Sequence, residues 1–90
     1  MSKPYMISYD LREPGQKYDE LIKIIETFGY GISPQKSFWL IRTTLTIQQM
    51  ADKINVVLDD NDALFICELI GNYRGRITDD EWAFIKKHIF

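Results

Sequence analysis

Two short stretches hold the side chains best placed for chemistry. In "MISYDLREPGQKYDEL", residues 6–21, a short apolar strand ends on a carboxylate, Asp10, and the chain then breaks at Pro14-Gly15 before a helix begins. The C-terminal end of a strand beside a turn is a common place for a catalytic carboxylate, and Asp10 is the candidate. It is equally the place of an ordinary turn acid that accepts from backbone amides near Pro14-Gly15. In "GNYRGR", residues 71–76, Arg74 and Arg76 flank Gly75 beside Tyr73. Two guanidinium groups, an aromatic face and a flexible backbone together suit contact with a phosphate or a single-stranded nucleic acid. The competing reading is a solvated loop whose arginines pair with Asp79, Asp80 or Glu81.

Other chemistries find less support. The acidic run Asp59-Asp60-Asn61-Asp62 lacks the glycine at position six and the glutamate at position twelve of an EF-hand, so it reads as a solvated turn. The single cysteine, Cys67, cannot form an internal disulfide, and its apolar run predicts a buried thiol in a reducing compartment. His88 falls in a last helical turn, where the helix dipole explains it. There is no Cys/His zinc cluster, no credible serine-histidine-acid set and no glycine-rich phosphate loop. Trp39 and Trp82 read as core or interface residues.

The elements that must position these residues follow from periodicity. Residues 5–11 alternate, with Tyr5, Ile7, Tyr9 and Leu11 on one side and Met6, Ser8 and Asp10 on the other, which predicts a strand. Over 16–28 the period becomes helical: Tyr18, Leu21, Ile22, Ile25 and Phe28 form one stripe, and Gly29 and Gly31 end it. "ISPQKSFWLIRTT" predicts a short strand interrupted near Pro34 and a longer one over 37–43. Thr46-Ile47-Gln48-Gln49 is a capping box, followed by Met50, Ala51, Ile54 and Leu58 at helical spacing. "ALFICELI" has strand length. A second capping box, Thr78-Asp79-Asp80-Glu81, opens a last helix over about 78–90 with Trp82, Ile85 and Ile89 as its apolar seam.

Ninety residues make one domain, whose core occupies about residues 5–70. A chain of this size buries about 60–65% of its unfolded surface, a modest core that a partner copy would supplement. The formal net charge of −2 argues against a generally basic nucleic-acid-coating protein and leaves local basic patches. No apolar stretch has the length of a membrane span, and Met1-Ser2-Lys3-Pro4 leads into a strand without the apolar core of a signal peptide; the expectation is a cytoplasmic protein. The order strand, helix, strand, strand, helix, strand predicts an α+β, ferredoxin-like split βαβ (βαββαβ) antiparallel sheet with an added C-terminal helix. Large apolar groups fall on both sides of that sheet. The face carrying Trp39 and Ile41 has no evident cover within the chain, so a homodimer is expected, with the terminal helix as the alternative cover.

Tyr9-Asp10 at the end of the first strand, the helix after a short turn, and "PQKSFWLIRT" in the middle strands resemble the small CRISPR-associated Cas-two family over about residues 5–70. The chain is also similar to the virulence-associated D proteins and to uncharacterised relatives of that fold. The resemblance implies a two-fold homodimer in which paired Asp10 carboxylates hold Mg²⁺ or Mn²⁺ for cleavage of phosphodiester bonds in RNA or DNA, with Tyr9 and Ser37 as neighbours. One acid per chain then suffices, because symmetry supplies the second. The chain departs from the family in two places. Leu11-Arg12-Glu13-Pro14-Gly15 offers one arginine where the family has an acidic, arginine-rich turn, and the final helix stands where the family has a last strand. Two functions therefore compete: a metal-dependent endonuclease acting through Asp10, and a non-catalytic dimeric adaptor that holds a partner by its edges or by Arg74 and Arg76.

Overall fold

The alternation read at the N-terminus forms β1 (Lys3–Asp10), with Tyr5, Ile7 and Tyr9 buried and the residues between them less so. The computed structural model describes residues 1–12 and 16–90, so the Pro14-Gly15 break lies outside the described residues. After it come α1 (Gln16–Glu26), β2 (Tyr30–Gln35), β3 (Phe38–Thr43), α2 (Ile47–Asn55), β4 (Ala63–Glu68) and α3 (Asp79–Phe84). A single π turn, Ile85–Ile89, extends α3 and is closed by Phe90 N–H donating to the Ile85 carbonyl at 3.1 Å. The strands form one antiparallel sheet in the order β2-β3-β1-β4, the ferredoxin-like arrangement. β1 and β3 are inner strands; β2 and β4 are edges.

Local chemistry places the element ends where the sequence predicts. In α2 the Thr46 hydroxyl accepts from Gln49 N–H at 3.1 Å and the Gln49 side chain accepts from Thr46 N–H at 2.9 Å, so both halves of the capping box form. Gly29 takes φ +146°, and a Cβ there would lie 2.3 Å from the Arg42 carbonyl oxygen. Only glycine lets the chain leave α1 so close to β3.

The core lies between α1, α2 and one face of the sheet. Leu21, Ile25, Phe28, Met50 and Ile54 pack there against Tyr5, Ile7, Tyr9, Leu11, Trp39 and Ile41. This corrects the expected uncovered face. Ile7 pairs with Trp39 and Tyr5 with Ile41, and residues paired across strands share a face. Trp39 and Ile41 are therefore inside, under the two main helices. Alternation within one strand says which residues share a side but not which side is the inner one; register decides that.

The opposite face carries Met6, Ser8, Phe38, Leu40 and Arg42, all half-buried. The C-terminal segment crosses it, with Ile85 and Ile89 fully buried beneath the last helix. The terminal helix thus serves as a cover, but of this face and not of the one carrying Trp39 and Ile41 that the sequence reading assigned to it. The cover stops short of the β4 edge, where Phe65 is 64% and Ile70 76% exposed. Cys67, expected to be buried, is only half-buried on that strand.

Candidate functional site

Asp10 stands exposed at the end of β1, opposite Ala63 of β4. The hairpin turn between β2 and β3 lies beside it: Tyr9 N–H donates to the Ser37 carbonyl at 3.1 Å, so the two motif neighbours touch. Ser37 holds φ 60°, a left-handed conformation uncommon outside glycine, and its hydroxyl reaches the Tyr18 hydroxyl at 3.3 Å. The Tyr9 hydroxyl accepts from the Trp39 indole at 3.1 Å, and burial raises its pKa more than that bond lowers it. Tyr9 is thus a core anchor, while the next residue points its carboxylate at solvent.

The turn acid beside this strand end is Asp62. Its side chain is fully enclosed and accepts from Arg12 N–H at 2.8 Å, from Asp59 N–H at 2.9 Å and from the Lys17 ammonium at 2.8 Å. These bonds, led by that from Asp59 N–H, lower its pKa to about 2. Lys17 also bonds Asp59, and the two carboxylates raise its pKa. The acidic run is therefore an ion-paired clamp joining the α2–β4 turn to the start of α1, rather than a merely solvated turn. Among the described residues no three metal-ligating side chains come together. Asp10 belongs to no such cluster among the described residues.

The loop at residues 71–76 is built differently. It runs, exposed, across the covered face to Thr78, whose hydroxyl accepts from Glu81 N–H at 3.2 Å while the Glu81 carboxylate accepts from Thr78 N–H at 2.9 Å. The capping box thereby occupies Glu81, one of the three acids at the start of α3. Among the described residues neither Arg74 nor Arg76 has a carboxylate within 4.0 Å; the ion pairs there are Lys3–Glu68, Lys17–Asp59 and Lys17–Asp62. Tyr73 stacks between Trp82, with ring centroids 5.9 Å apart at 24°, and Phe90, at 4.4 Å and 15°. Tyr73, Arg74, Gly75, Asp79, Trp82 and Lys86 line one open groove.

The structure thus brings Tyr73 and Arg74 together with Trp82 and adds Lys86, which the sequence reading missed. Its signal was present, since Trp82 and Lys86 are four residues apart on a helix and share a face. Asp10 does not line this groove. His88 has a partner that the dipole reading did not supply: its ring stacks on Tyr30 at 4.4 Å and tilts against Phe84 at 4.7 Å.

No family model matches the chain, and no curated protein does. Among solved structures, it is similar to the crystal structure of a hypothetical protein, TT1823, from Thermus thermophilus, with a TM-score of 0.65 and 20% identity over 87% of this chain and 96% of that one. At that identity the likeness concerns the fold alone, and it extends over nearly the whole of both chains.

Proposed function

We propose that this is a cytoplasmic nucleic-acid-binding protein, working as a homodimer, that holds a single strand by its phosphates with Arg74 and Arg76, on a loop that the Tyr73 stack between Trp82 and Phe90 fixes in place. The observation that carries this reading is the absence of acidic partners for either arginine among the described residues, although three acids lie only a few residues away. Guanidinium groups left unpaired on an exposed loop are the donors that recognition of a phosphate backbone uses. The uncovered apolar groups at the β4 edge support the homodimer. Among the described residues no helix is long and apolar enough to cross a membrane. Fluorescence anisotropy with a labelled single strand tests the proposal: Arg74→Ala with Arg76→Ala should weaken binding to all sequences alike, because phosphate contacts carry no sequence information. Unchanged affinity would refute it.

A second reading is favoured by Asp10. The carboxylate is exposed at the strand end, while its neighbour Asp62 accepts from Arg12 N–H and Asp59 N–H. In this reading a two-fold dimer pairs two Asp10 residues around Mg²⁺ or Mn²⁺ and cleaves phosphodiester bonds of RNA or DNA. Asp10→Asn should then abolish metal-dependent cleavage while leaving the fold intact. Binding without any cleavage would instead leave the chain as a non-catalytic adaptor.

A further inference from the structure

At the other end of the sheet from Asp10, a second open groove lies between the start of β2, the end of β3 and the π turn. Ser2, Tyr30, Arg42, Thr44, Lys87 and His88 are among the residues that line it, and no acidic residue does. We propose that this groove is a phosphate-binding site centred on Arg42, with Lys87 as its second cation.

Arg42 is half-buried and held by three hydrogen bonds. Its Nε donates to the Ser2 hydroxyl at 3.0 Å, Nη1 to the Ile89 carbonyl at 2.7 Å and Nη2 to the Ser2 carbonyl at 3.2 Å. A guanidinium carries five N–H donors, so two stay uncommitted, one on each terminal nitrogen. All three acceptors are neutral, and among the described residues no carboxylate side chain lies within 4.0 Å to balance the charge. A half-buried cation in that condition is stabilised by an anion that enters the groove. Its orientation is set beforehand by the three bonds, so little side-chain entropy is lost on binding.

The surroundings favour phosphate over carboxylate. Two acceptor oxygens would satisfy the two uncommitted N–H groups of the guanidinium, and a carboxylate offers no more. A phosphate has further oxygens for the Lys87 ammonium and for the Ser2 and Thr44 hydroxyls that line the same groove. The stacked Tyr30 and His88 rings wall one side. Lys86 faces the Arg74 groove while its neighbour Lys87 faces this one, so the widened final turn distributes its two lysines between two sites. β1 begins beside Ser2 and ends at Asp10, which puts the strand's length, roughly 25 Å, between this groove and that carboxylate. The proposal does not depend on the loop at residues 71–76.

The phosphate could be free or the end of a nucleic-acid strand, and the experiment separates the two. NMR titration of the whole chain with inorganic phosphate, against acetate and chloride at equal ionic strength, should give saturable shifts at Arg42 Nε, Lys87, His88 and Thr44 with a Kd of about 1 mM or tighter. Arg42→Gln also releases Ser2 and Ile89, so Lys87→Glu, on an exposed side chain, is the deciding variant. It should weaken phosphate binding at least roughly tenfold with an unchanged melting curve, whereas the Arg74→Ala, Arg76→Ala double variant should titrate as wild type. Equal shifts with acetate, or a Lys87→Glu protein that binds as tightly as wild type, would overturn the proposal. Shifts at these positions that require a 5′-phosphate on an added oligonucleotide assign the site to a strand end, and shifts from inorganic phosphate alone assign it to the free ion.

Discussion

The two faces of the sheet are covered by different kinds of structure. On one, α1 and α2 seal Ile7 and Ile41 at 0% exposure. On the other, a single extended segment and a short helix lie over Met6, Phe38 and Leu40, and the cations of that segment look outward without acidic partners among the described residues. Single cations on the two sides are held differently. Lys17, at the start of α1 in the helical layer, is bound by two carboxylates and ties that helix to the α2–β4 turn. Arg42, Arg74, Arg76, Lys86 and Lys87 belong to the thinner side and have no such bond among the described residues. The Lys17 pairs serve the fold, whereas the guanidinium groups of Arg42, Arg74 and Arg76, with no carboxylate within 4.0 Å among the described residues, are available to an anion.

Core substitutions should separate the faces most strongly. Ile41→Ala, in the sealed layer, is expected to cost about 2–5 kcal/mol of stability, whereas Leu40→Ala, the next residue and on the other face, should cost on the order of 1–2 kcal/mol. Urea unfolding of the two variants measures this, and equal losses would mean that the C-terminal cover packs as well as the helices. The caps give a finer comparison. Thr46→Ala removes the hydroxyl that accepts from Gln49 N–H, and should lower global stability by about 1 kcal/mol. Thr78→Ala removes the matching bond from Glu81 N–H and should act locally. Hydrogen exchange should show faster opening of α3 and the π turn with the sheet amides unchanged.

The clamp predicts a pH signature. The Asp62 carboxyl is held at about 2 in the folded chain, below its ordinary 3.8, so its contribution is present above pH 4 and is lost as pH falls toward 2. Asp62→Asn should be less stable than wild type at neutral pH, and the difference should shrink between pH 4 and pH 2. A constant difference across that window would show that the effect is steric rather than ionic.

Much of this was legible in the sequence. Both capping boxes formed as spelled, and the switch from a period of two to a helical period marked β1 and α1. The sidedness of the sheet was not legible, because it depends on Tyr5 meeting Ile41 and Ile7 meeting Trp39, a pairing between residues over thirty positions apart. The role of Asp62 was hidden for the same reason, since its partners Arg12 and Lys17 are forty-five and more residues upstream. Arg74, Arg76 and Tyr73 could be singled out because their signal is local. That one of their nearby acids, Glu81, is engaged by a cap became evident only with its bond to Thr78.

The salt dependence of single-strand binding tests the central claim most directly. For wild type the logarithm of affinity should fall linearly with the logarithm of salt concentration, and replacing Arg74 and Arg76 by alanine should flatten that slope by about 0.7 for each phosphate that the variant no longer neutralises. Stability should meanwhile change by less than about 1 kcal/mol, as expected for exposed charges without partners. Equal slopes and equal affinities for the two proteins would contradict the account.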